Sequence, residues 1–168
     1  MSAFAQTVAV ADGTPEQTAS PAVTHNFWTA GAPLPIAVTY QTTGVIAGKI
    51  YNVGGHSTKV IGSNQIYNPV TDAWTTGAPL PTPTLNAASA VVGSVLYIFG
   101  GSTTDGITNE VWAYNSKTNT WATKAAMPTA RQGAVAVAEN NIIYVIGGDN
   151  SSKTRLSTVE SYNPATND

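Results

Sequence analysis

Few residues in this chain could do chemistry, and they are widely spaced. His25 and His56 are its two histidines, and neither has an acid or a serine at the spacing of a catalytic triad or a metal-ligand set. Asp12, Asp105 and Asp149 stand in turn-rich stretches, where aspartate shapes the backbone more often than it binds metal. The chain has no cysteine, which removes disulfides and thiolate metal sites. No metal and no cofactor is implied. What remains is the chemistry of recognition. His56, Lys59, Asp105, Asp149, Lys153 and Arg155 fall in three segments, residues 56–64, 102–108 and 149–156, and Arg131 is expected on the same face. Exposed ammonium, guanidinium and carboxylate groups on loops held by a rigid scaffold can bind a protein or glycan through charge-assisted hydrogen bonds. The plainer reading is that they are solvated loop residues.

These segments have to be positioned by something regular, and the regularity is a threefold repeat. An aromatic run ending in a glycine pair recurs at Gly54-Gly55, Gly100-Gly101 and Gly147-Gly148. A Tyr-Asn pair follows each, at Tyr67, Tyr114 and Tyr162. Trp74 and Trp121 come seven positions after the first two tyrosines (74−67, 121−114), but the third tyrosine has no such tryptophan before Asp168. Trp28 is the unmatched one. It precedes its glycine pair by the same 26 positions as Trp74 and Trp121 precede theirs (54−28, 100−74, 147−121). The frame is therefore a permuted three-unit array.

Between the anchors lie short runs rich in Val, Ile, Ala, Thr and Tyr, bounded by Gly, Pro, Asn and Asp, which predict strands and no long helix. In the second unit the strands are expected at about residues 85–93, 95–101, 109–115 and 121–126. Four short strands per unit make a β-propeller blade. The glycine pair should end the second strand, where the absence of a Cβ allows a turn or a close approach to a neighbour. The large Tyr and Trp side chains should fill the space between blades.

The anchor pattern, with a period of 46 to 47 residues (100−54, 147−100), resembles the kelch motif over residues 27–168. The Trp-Asp dipeptide of WD40 repeats is absent, and Gly-His occurs once, at Gly55-His56, rather than in each unit. The resemblance departs at two places: the Arg after the Met-Pro step occurs once, at Arg131, with Ala37 and Pro83 near the equivalent places, and the acid two before the tyrosine is Gln65, Trp112 and Glu160. It implies an all-β fold of kelch-type propeller blades, each a four-stranded antiparallel meander, three per chain. It also implies a binding role. Kelch-like enzymes include copper radical oxidases, whose Tyr-Cys cross-link a chain without cysteine cannot form, and sialic acid epimerase-like enzymes, which need a charged cluster with few candidates here. A carbohydrate-active site formed between chains is the enzymatic alternative.

In an up-and-down blade, the loops from strand two to three and from strand four to the next blade share one face. Length varies only in the first class: glycine pair to tyrosine grows from 12 to 13 to 14 positions (67−55, 114−101, 162−148). That loop class is the expected recognition surface. Trp112 is read as a packing aromatic, and Asn150-Ser-Ser is a glycosylation acceptor that matters only in a glycosylating host.

With 168 residues, a net charge of −2 and 10% charged residues, the chain reads as one small, nearly neutral domain. Its seven basic residues are scattered, against a nucleic-acid partner, and no run is apolar enough for a membrane span. The Thr-, Ser-, Asn- and Ala-rich composition suits an extracellular or periplasmic bacterial protein. Residues 1–23 belong to no repeat and read as a flexible tail or linker, with Thr7 to Ala11 weakly alternating like a strand, and residues 24–168 are the three blades. Because propellers close with four to eight blades, three blades predict association of two chains into a six-bladed ring by outer-strand exchange. An excised piece of a longer propeller and a fibre-forming subunit are the alternatives.

Overall fold

The computed structural model describes residues 28–168. The proposed tail at residues 1–23, the alternating run at 7–11, Asp12 and His25 lie outside the described residues. The chain divides after Ala30, and all strands belong to the unit Gly31–Asp168.

Blade 1 is a meander of β1 (Thr42–Ile46), β2 (Lys49–Val53), β3 (Asn64–Asn68) and β4 (Ala73–Gly77). Blade 2 has β5 (Ala88–Val92) and β6 (Val95–Phe99), then the two-residue hairpin β7 (Ser102–Thr103) and β8 (Gly106–Ile107), then β9 (Val111–Asn115) and β10 (Thr120–Lys124). Blade 3 has three strands, β11 (Val135–Glu139), β12 (Ile142–Ile146) and β13 (Val159–Tyr162). All pairings are antiparallel between sequence neighbours along the meander. The strands expected in the second unit are present, each within about three residues of its expected ends, and the β7–β8 hairpin is an addition that periodicity does not announce.

The core is two interfaces between blades, because a four-stranded sheet this short can bury a face only against its neighbour. Between blades 1 and 2 lie Ile46, Tyr51, Val53, Leu96, Ile98 and Tyr114. Between blades 2 and 3 lie Ala88, Ala90, Tyr97, Phe99, Ile143, Val145 and Tyr162. The same aromatic contact occurs in both. Tyr51 of β2 packs on Tyr114 of β9 with ring centroids 5.7 Å apart, and Tyr97 of β6 packs on Tyr162 of β13 at 5.8 Å. Such pairs contribute about 0.5–1.5 kcal/mol beyond the area they bury.

The third-strand tyrosine of each blade is also tied to an earlier segment of the chain through an Asx residue. Asn119, in the turn after β9, accepts the Tyr114 hydroxyl and the Ala78 N–H at 2.7 Å each. Asn167 accepts the Tyr162 hydroxyl at 2.9 Å and the Ala125 N–H at 3.1 Å, and Asp72 accepts the Tyr67 hydroxyl and the Ala32 N–H at 2.6 Å each. All three have positive φ, a conformation that Asn and Asp tolerate better than other side chains. The signal was present in the sequence as an Asx five positions after each tyrosine (72−67, 119−114, 167−162).

Asp72 alone is ionisable among these three. The Ala32 N–H, and then the Tyr67 hydroxyl, hold its carboxyl below the usual carboxylate range, while the Asp72 hydrogen bond raises the Tyr67 hydroxyl. A depressed folded pKa stabilises the clasp above the unfolded value of 3.8, and this is lost as pH falls through the folded value. The Ala32 amide should therefore lose hydrogen-exchange protection as pH falls below 3.8 toward the lower folded value, and Asp72→Asn should abolish that pH dependence. Protection that falls equally on acidification in the native chain and in Asp72→Asn would contradict it.

Candidate functional site

The glycine pairs do what their position requires, and in doing so they set the loop face. Gly100 has φ +60°, and a Cβ there would stand 2.4 Å from the Arg131 carbonyl oxygen of the next inter-blade connection. The Gly101 N–H donates to that same oxygen at 2.8 Å. In blade 1, Gly55 donates to the Thr84 oxygen at 2.8 Å. These approaches draw each loop between strands two and three against the connection entering the following blade.

The consequence is an open groove of about 550 Å³ between the blade 1 and blade 2 loops, bounded by residues 59–62, 81–83 and 103–105. Lys59 stands on one wall and Asp105 on the other, both exposed. Thr82, Thr103 and Thr104 supply hydroxyls, and Val60, Ile61, Pro81 and Pro83 supply apolar surface. The walls are locally braced. Ile61 N–H donates to the Gly55 oxygen at 2.9 Å and Leu80 N–H to the Gly62 oxygen at 2.7 Å. At the other wall, Asp105 N–H donates to the Thr103 hydroxyl, which in turn donates to the Gly106 oxygen, both at 3.1 Å. Asp105 is thereby presented at the tip of the β7–β8 hairpin.

The other sequence-predicted residues are placed differently. The His56 backbone is laddered to Thr39, the ring half-buried outside the groove. Asp149 is similarly laddered to Gln132, with hydrogen bonds of 2.9 and 3.0 Å. Lys153 and Arg155 are exposed on the third loop, where the Asn150 side chain accepts the Ser152 and Thr154 N–H groups at 3.0 Å. None of these four lines the groove.

Arg131 is not on the loop surface at all. Its side chain is 0% exposed and contacts Glu160 Oε1 at 2.5 Å. Its guanidinium also donates to the Gly147 oxygen and the Thr158 hydroxyl at 3.0 Å each. Burying an arginine demands partners for its donors, and the ends of β12 and β13 provide them. The structural equivalent of Arg131 in the preceding connection is Thr84 rather than Pro83, since the Thr84 and Arg131 oxygens receive the corresponding glycine N–H groups. Trp112 is half-buried against the blade 1–blade 2 core, with its indole N–H donating to Glu110 at 3.1 Å. Among the described residues no group of three His, Cys, Asp or Glu side chains is placed to hold a metal, and no helix is long and apolar enough to cross a membrane.

A family model described as the KLHDC2/KLHL20/DRC7 Kelch-repeats domain matches residues 40–168. Among solved structures, one described as "Structure of YjhT" is similar with a TM-score of 0.70 and 22% sequence identity, a likeness of fold. The match covers 80% of this chain and 51% of that one, so the chain spans about half the length of that structure. No curated protein matches the chain in sequence.

Proposed function

The chain belongs to the kelch-repeat family, and from that premise we propose that it is a non-catalytic interaction module that binds a protein segment in the groove between Lys59 and Asp105. The observation that carries this reading is the groove itself: one cation and one anion in its lining, together with threonine hydroxyls and proline surface. A peptide offers backbone groups to such hydroxyls and opposite charges to such walls. A glycan remains the second ligand class. The groove lining has no aromatic ring on which the C–H face of a sugar could pack, which favours the peptide.

Peptides selected from a random display library on the native chain should carry both an acidic and a basic residue. They should lose about tenfold or more in affinity to Lys59→Glu, a loss of about 1.4 kcal/mol. Peptides that bind the native and Lys59→Glu, Asp105→Lys chains equally would remove the groove as the site, and glycan-array hits with the same charge dependence would transfer it to a sugar.

The module is proposed to act as a six-bladed ring of two chains joined by exchange of an outer strand. Val135, Val137 and Ile146 are exposed on blade 3, at the repeat positions of Ala88, Ala90 and Phe99, which are buried between blades 2 and 3. On blade 1, Val45 and Ile50 are likewise exposed, at the positions of Val91 and Leu96. Apolar faces of this kind favour association. The ring predicts a mass in solution of twice 17.3 kDa by light scattering at micromolar concentration. A folded monomer would exclude it, and a distribution of long polymers would indicate an open fibre.

A further inference from the structure

Each blade is entered through one residue in the left-handed region of backbone space. These are Tyr40 at φ +58°, Asn86 at +54° and Gly133 at +64°, one repeat apart (86−40, 133−86). They are joined in series: the Asn86 N–H donates to the Tyr40 oxygen at 2.9 Å, and the Gly133 N–H to the Asn86 oxygen at 2.8 Å. Glycine and asparagine adopt this conformation at little cost, whereas a bulky residue is an outlier there. The second and third blades therefore carry a residue suited to the backbone, and the first does not. Burial does not offset the strain, since Tyr40 is 58% exposed. The conformation persists because the residue before it is held on both sides. Thr39 and His56 exchange backbone hydrogen bonds of 2.9 and 2.8 Å, and a Cβ on Gly55 would stand 2.7 Å from the Thr39 oxygen. Strain kept at an exposed position in this way belongs to ligand contacts more than to scaffold.

The same ladder fixes where Tyr40 stands. His56 is bridged to Thr39 and also to Val60, which lines the groove beside Lys59. Two rungs of an antiparallel ladder, about 10 Å in all, thus separate Thr39 from the groove. An extended peptide crosses that distance in about three residues. We propose that Tyr40 is a specificity-determining residue for the peptide of the groove, and that its ring receives an apolar side chain about three positions from the acidic residue that meets Lys59. A tyrosine ring suits this role, being a large apolar face whose two side-chain torsions lose little entropy on contact. Asparagine or glycine at the same place would relax the backbone and present no such face. The inference rests on the groove as the peptide site and adds an apolar anchor to its two charged ones.

Two measurements on Tyr40→Asn, which installs the residue of the second blade, test the assignment together. Urea denaturation should show a raised midpoint, with the folding equilibrium constant up about fivefold as the strain is released. Peptides selected from a random display library on the native chain should carry an apolar residue about three positions from an acid, and should bind Tyr40→Asn about tenfold more weakly. Tyr40→Phe, which keeps the ring, should bind them within about twofold. Gain of stability with loss of binding is the signature of strain held for function. A lowered midpoint in Tyr40→Asn would make the ring part of the scaffold and overturn the assignment. Peptides that lose affinity to Lys59→Glu but bind Tyr40→Asn as they bind the native chain would overturn it while keeping the groove. Peptides indifferent to Lys59→Glu would remove the groove, and with it the ligand assigned to Tyr40.

Discussion

Gly100→Ala should destabilise the chain by about 2–5 kcal/mol, whereas Gly147→Ala, its repeat equivalent, should cost only about 1–2 kcal/mol. Both glycines have positive φ, +60° and +67°, so both substitutions incur the penalty of an L-residue in the left-handed region. The difference lies in what a Cβ would meet. At Gly100 it would stand 2.4 Å from the Arg131 oxygen and 2.8 Å from Met127 Cε, and the backbone oxygen cannot retreat without breaking the 2.8 Å bond it accepts from Gly101. At Gly147 the nearest atom is the Leu156 oxygen at 3.4 Å, because among the described residues no further blade follows the third. Against a total stability of about 5–15 kcal/mol, the first loss is large. Urea denaturation of both variants tests the prediction, and equal losses would show that close approach between blades is not what requires the glycine. In the two-chain ring the second copy's Val38 oxygen would take the place held by Thr84 and Arg131. Gly147→Ala should then lower the dimer fraction while leaving each chain folded.

Arg131→Met should cost about 3–5 kcal/mol, an unusually large effect for a residue in a connecting segment. The substitution keeps much of the apolar volume and removes every donor. Glu160, whose side chain is 16% exposed, would lose its cation, and the Gly147 oxygen and Thr158 hydroxyl would lose the bonds they receive at 3.0 Å. An uncompensated charge in that position costs more than the intact pair contributes. The double variant Arg131→Met, Glu160→Met should therefore be more stable than Arg131→Met alone. Arg131→Lys should recover only part of the loss, since an ammonium cannot span the carboxylate, the carbonyl and the hydroxyl that the planar guanidinium reaches together. Equilibrium unfolding of the native chain, Arg131→Met, Glu160→Met and the double variant forms a double-mutant cycle. Additive losses would exclude the coupling.

The two predictions concern residues of opposite legibility. Gly100 announces itself, since a glycine pair at the end of an aromatic strand, repeated three times, has a backbone reason to be there. Arg131 is expected on the loop face because the connection from strand four to the next blade emerges there, and nothing in its local context tells that the chain returns over it. Its acceptors come from the ends of β12 and β13, 16 and 27 positions further on. Two of them are backbone oxygens, which every residue type carries. The Asx clasp lies between these cases: its offset of five positions from tyrosine is visible in the sequence, but the second bond, to an alanine N–H outside the strands, spans 40 to 42 positions and depends on how the chain packs.

By itself, the sequence determined the blade fold, the order of the strands and the packing of tyrosines between blades. These are periodic features, encoded by side-chain alternation and by glycine and tryptophan at constant spacing, and periodicity survives without coordinates. Only the tertiary structure decided which charged residues meet. Lys59 and Asp105 line one groove because blade 2 packs against blade 1 at a particular height and angle. Arg131 is withdrawn from the surface because Glu160, the Gly147 oxygen and the Thr158 hydroxyl meet its guanidinium there. Contacts of this kind depend on the distance between side chains brought together from separate repeats, a quantity that neither residue type nor spacing records.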